Sequence, residues 1–126
     1  MAKLYNFPPP RAWEENVLSC CLCLPFIVPR LINEYLEPAD FYYGITHTAF
    51  KAICDLYEWQ RTCTKEAIKD AMDKAIWRLW GTQGLEWLNT LPTLVKDPPN
   101  WRCYAAAVAG AANKRDWIDS LQRKSA

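Results

Sequence analysis

No apolar run in this chain is long enough to span a bilayer. The longest, residues 20–29, holds about ten residues and carries Pro25 and Pro29, well short of the roughly 20 that a spanning helix needs. Glu14 and Glu15 stand before it, where a secretory leader would be basic. The expected location is therefore cytoplasmic, with no membrane partner. An excess of one charge is missing too. Fifteen basic residues against 14 acidic ones leave a net charge of +1, too little to draw the whole chain onto nucleic acid or anionic lipid. Glycine is scarce: Gly44, Gly81, Gly84 and Gly110 are the only four. None falls in the order G-x-x-x-x-G-K-[ST], whose backbone N–H groups cradle nucleotide phosphates. ATP hydrolysis by that route is excluded, and a non-catalytic chain without a cofactor is expected. His47 is the single histidine, and it reads as a capping or packing residue rather than a general base.

Six cysteines are present, but they lack the paired C-x-x-C spacing of a zinc site, so no metal is expected. Cys20, Cys21 and Cys23 crowd one helical turn, where neighbours do not readily bridge each other. Cys20 and Cys54 read as small buried hydrophobes. No stretch alternates as a strand does, and no segment repeats.

What the chain does have is helical periodicity. Its 126 residues, 51% of them hydrophobic, suit one domain with a real core. Phe50, Ile53, Cys54 and Tyr57 recur at i, i+3, i+4 and i+7, with Lys51, Asp55 and Glu58 on the opposite side. Thr46 is placed to cap this helix, and Gly44 to turn the chain into it. Just before it, Asp40-Phe41-Tyr42-Tyr43 forms an aromatic knot. With His47, Phe50 and Ile53, it is expected to plug the end of a helical core.

Upstream lies a Pro-rich arm over residues 1–10. A helix follows over 11–24, with Trp13, Val17, Cys20 and Leu24 on one face, and a second over about 28–36. Downstream, Thr64 caps a helix that turns Ile68, Ala71, Met72, Ala75, Ile76 and Leu79 inward. Gly81 and Gly84 interrupt it. A short helix then begins at Leu85, and Asp97-Pro98-Pro99-Asn100 leads to a last helix over 101–123. The expected fold is all-α: a compact bundle of about six helices, globular over 11–80 and ending in a helical hairpin over 84–124.

From Ala105 to Ala112 every residue but Val108 is alanine or glycine. A helix so small on all sides is either buried within its own domain or two-sided, packed inward on one face and against a partner on the other. The second reading makes Trp87, Leu91, Trp101, Tyr104, Ala106, Ala109 and Trp117 candidate interface residues. Arg102, Lys114, Arg115, Arg123 and Lys124, opposed by Asp116 and Asp119, support a competing reading as a single-stranded nucleic-acid binder with tryptophans for stacking. With so small a net charge, direct DNA binding is expected to be weak or absent.

Asp40, Phe41, Tyr42, His47, Phe50, Ala52, Ile53 and Leu56 resemble, without a gap, the segment D-F-Y-x-x-x-H-x-x-x-F-x-A-I-x-x-L of the N-terminal domain of bacterial DnaB-type replicative helicases. Glu14, Glu15, Val17 and Leu18 resemble its E-A-E-Q-x-V-L-G stretch, with Ser19 for the glycine. Gly84, Leu85 and Leu88 resemble its G-G-x-x-Y-L turn, with Gln83 and Trp87 substituted. Pro99, Tyr104, Val108, Arg115 and Ile118 resemble its last helix. The chain departs from the family at Ala106, Ala109, Gly110 and Ala111, where charges are usual. The resemblance implies a compact bundle with a protruding helical hairpin. It also implies pairing into dimers or higher oligomers within a helicase collar, and contacts with helicase, primase or loader proteins. It fits either the first domain of a larger helicase or a free-standing copy. A primase-type helicase-binding domain is the further alternative.

Overall fold

A computed structural model describes residues 9–61 and 63–125, with side chains as far as Leu121. Every regular element among them is helical. Helix α1 (Arg11–Cys23) starts where the prolines end, and it runs through the middle of the body. Val17, Leu18, Cys20, Cys21 and Leu22 are buried along it. Trp13, expected inward, instead stands 41% exposed near the helix start. Pro25 forces a turn, and the chain bends by 110° into the next helical stretch. That stretch comprises α2 (Val28–Arg30) and a wider π-helical turn, Leu31–Tyr35. It closes with the N–H of Leu36 donating to the Leu31 carbonyl at 2.8 Å.

Helices α3 (Gly44–Gln60) and α4 (Lys65–Thr90) form the most extensive helix pair. Arg61, in the left-handed region at φ 53°, ends α3. Thr64 caps α4 by accepting from the Ala67 N–H at 3.1 Å, as its position predicts. Gly81 breaks α4, with φ 61° and ψ −145°, a conformation open essentially to glycine alone. The expected interruption is therefore a sharp kink, and two segments share one element. A Cβ on Gly84 would sit 2.6 Å from both Ile76 and Trp80, so that glycine permits the fold-back. Ile68, Met72, Ile76 and Leu88 are fully buried. Leu79, expected inward, is 64% exposed, because the kink directs the following chain away from that last turn.

Beyond α4, the turn Leu91–Thr93 lies on α1. The Ser19 hydroxyl donates to the Leu91 carbonyl and accepts from the Val95 N–H. At the family's glycine position, this chain thus uses a hydroxyl to satisfy two buried backbone groups. Helix α5 (Trp101–Ser125) then packs on α1, on Leu31–Tyr35 and on the turn Pro38–Asp40. The hairpin expected over 84–124 is not what holds it: α4 is not among its substantial neighbours. Ala105, Val108 and Ala112 are small enough to bring α5 close to α1, which offers the larger apolar face. From Asn113 to Leu121 no residue is fully buried, and after the half-buried Arg115 and Ile118 the described side chains of α5 are exposed. Among the described residues, no single helix is long and apolar enough to cross a membrane.

Candidate assembly and docking surfaces

The aromatic knot is the junction of the fold. Glu14 on α1 is only 1% exposed. Its carboxylate accepts from the Tyr42 N–H at 2.8 Å, the Tyr43 N–H at 3.3 Å and the Thr46 hydroxyl at 2.5 Å. The donors at the start of α3 are thus satisfied from another helix, and Thr46 does not act as the cap its position suggested. The family spacing D-F-Y-x-x-x-H-x-x-x-F, laid on Phe41 and Phe50, also puts Thr46 at the histidine's place. His47 sits one residue later. Its Nδ1 lies 2.8 Å from the Pro38 carbonyl, an acceptor only, so Nδ1 carries the proton. Phe41 stacks on Phe50 at 4.5 Å, and both are buried with Ile53. Asp40 accepts from the Glu37 N–H at 2.9 Å. Tyr42 is not core: it is 46% exposed.

Arg115 of α5 completes the junction. It donates to the Asp40 carbonyl at 2.9 Å and lies over the Tyr42 ring at 5.3 Å. That internal role corrects its candidacy as a nucleic-acid contact. Arg102 lies over the Trp101 ring at 4.6 Å, and Lys114 is exposed. The side chains of Arg123 and Lys124 lie outside those described.

The candidate interface residues divide in the same way. Leu91 and Trp101 are 0% and 5% exposed, buried in the chain's own core and closed to a partner. Trp101 meets Tyr35 edge-on at 5.4 Å. Trp87 is half-buried, donating from its indole to Glu15 at 2.6 Å under the Arg11 guanidinium. Tyr104 and Ala109 pack against the core from its edge. Ala106 and Trp117 are exposed, Trp117 at 63%. At about 100° per residue, Ala106, Gly110, Asn113, Trp117 and Leu121 fall on one line. It lies opposite the buried line of Trp101, Ala105, Val108 and Ala112. All five residues of the outer line are exposed, and a Cβ on Gly110 would meet nothing within 4 Å.

Sequence reasoning missed a second apolar surface. Trp59 is 82% exposed, Trp77 57% and Leu79 64%. They accompany a groove between α3 and α4 and a smaller recess lined by Trp77, Leu85 and Asn89. Position after Cys54 and Tyr57 on a helix of period 3.6 was the available signal for Trp59. All six cysteines are free thiols. Among the described residues, no three His, Cys, Asp or Glu side chains gather as a metal site.

This all-helical body is that of a helicase N-terminal domain. The chain is similar to the N-terminal domain of DnaB helicase from Mycobacterium tuberculosis, with a TM-score of 0.75 and 27% identity over 92% of this chain and 83% of that one. No curated protein matches it. Residues 8–110 match the DnaB-like helicase N terminal domain family, and the chain belongs to that family. By that membership it is a replicative-helicase N-terminal domain module.

Proposed function

We propose that this domain acts by assembly and docking. It pairs with a second copy through the outer line of α5 and presents its globular body to helicase, primase or loader proteins. The observation that carries this reading is the two-faced character of α5. Its inner line is filled by α1, while an opposite line of Ala106, Gly110, Trp117 and Leu121 stays exposed. Small residues at Ala106 and Gly110 permit close backbone approach, and Trp117 supplies a large anchor. Exposed apolar surface of this continuity marks interaction sites.

The nucleic-acid reading has less support. Arg115 is held by Asp40, and Arg102 lies over Trp101, a ring only 5% exposed and so closed to a stacking base. Glutamates at Ala106 and Gly110 test the assembly. Both sites are exposed, so the monomer is expected to keep its helical content while its mass by light scattering falls to that of one chain. An oligomer that survives the double substitution contradicts the reading.

A further inference from the structure

The groove between α3 and α4 has the shape of a seat for a third helix. Its floor is small: Ala52 from α3 faces Ala67, Ala71 and Ala75, which repeat every four residues along α4. Larger apolar side chains stand along it, with Leu56 and Trp59 on one side and Leu79 on the other. The trough has a volume of about 750 Å³. From Thr48 to Trp59 it runs roughly 17 Å, or about three helical turns. An alanine floor between larger flanks admits a helix at close interaxial distance, and such grooves bind the apolar face of an amphipathic helix.

The charges over the groove decide what that helix carries. Lys51 pairs with Asp55 at 3.4 Å on one rim, and Lys74 with Asp70 at 3.1 Å on the other. Each pair neutralises itself. Arg78 lines the same groove and has no ion-pair partner among the described residues. The first turn of α3 lies at the Arg78 end, where a Cβ on Gly44 would lie 3.4 Å from the Trp80 ring, but the Glu14 carboxylate already answers its donors, so Arg78 alone supplies the charge there. One end of the groove is therefore positive, and the rest is neutral and apolar.

We infer that this groove docks an amphipathic α-helix of a partner protein, with an aliphatic stripe over the alanines and carboxylates at the Arg78 end. A second copy of this chain fits less well, because the exposed Lys114 and Asp116 stand by Trp117 with opposite signs, so the outer line of α5 brings no net carboxylate to Arg78. Nucleic acid fits less well too, since Asp55 and Asp70 stand on both rims. The inference rests on the docking half of the proposed function, and it is independent of assembly through α5.

The test uses the full chain and two synthetic helical peptides. One has leucines at i, i+4 and i+7 and two glutamates at one end; its twin has lysines in their place. The glutamate peptide is expected to shift the Trp59 indole and the Ala71 and Ala75 amides in NMR spectra, and to bind about three- to fivefold more tightly than the twin. Arg78→Glu, at an exposed position, is expected to reverse that order without changing the sedimentation of the chain. Ala71→Arg, which fills the floor, is expected to abolish binding. Equal affinity for the twins, or shifts on α5 instead of the groove, would overturn the inference. So would groove shifts that follow protein concentration without peptide, or that oligothymidylate reproduces. Absence of peptide binding by the unmodified chain, with its self-association intact, would reject the groove alone.

Discussion

A carboxylate only 1% exposed persists at Glu14 because three donors surround it. The N–H groups of Tyr42 and Tyr43 and the Thr46 hydroxyl all converge there. Removing it leaves the Tyr42 and Tyr43 N–H groups at the start of α3 without their acceptor, while the Thr46 hydroxyl keeps the Tyr43 carbonyl at 3.0 Å. Glu14→Ala is therefore expected to cost about 2–3 kcal/mol, measurable as a shifted denaturant midpoint at unchanged slope. A loss within error would mean that water replaces the carboxylate. The thiols give a second test at this scale. Burial pushes Cys20 and Cys54 from their ordinary 9.0 up to about 12, and Cys21 further in the same direction. In the unfolded chain these groups ionise near 9.0, and in the fold only near 12. The stability they contribute is complete below the lower value and is lost as pH climbs through the higher one. Melting temperature is expected to fall across that window and to fall less in Cys20→Ala/Cys54→Ala. An identical fall in both proteins would assign the loss to other groups.

At the scale of elements, the glycines separate packing from exposure. Gly84 has no room for a Cβ beside Ile76 and Trp80, whereas Gly110 has nothing within 4 Å. Gly84→Ala is expected to destabilise by about 1–3 kcal/mol. Gly110→Ala is expected to stabilise the monomer by about 0.5–1 kcal/mol. Denaturation of the two variants side by side checks both, and like signs would contradict the assignment. Periodicity made much of α1, α3 and α4 legible, because a stripe at 3.6-residue spacing reports one helix and its inner face. Thr64 as a cap and Gly81 as a break were legible for similarly local reasons. The partner of α5 was not. Trp101, Ala105, Val108 and Ala112 form one inner line whichever helix covers it, and only the tertiary arrangement selects α1 over the segment after Gly84. Leu79 misled for a related reason: its phase points inward, but the kink removes the neighbour that would cover it.

At the scale of the whole molecule, one core leaves two apolar surfaces uncovered. One is the outer line of α5; the other is the groove between α3 and α4. Composition suggested the first, because a run of small residues broken only by Val108 is visible in sequence. The second needed two helices brought together before Ala52 could face Ala67, Ala71 and Ala75. Buried Leu91 and Trp101 show why large apolar residues near an interface cannot be allotted to it from sequence. Their periodicity serves core and interface alike. Membership of the helicase N-terminal family is the setting of the proposed assembly role, and the exposed line on α5 is the candidate surface for it. Sedimentation velocity of the unmodified chain, from sub-micromolar to tens of micromolar, tests that role most directly. The expected result is a boundary that moves from one chain to a dimer or larger species as concentration rises. A single monomeric boundary across the whole range would contradict it.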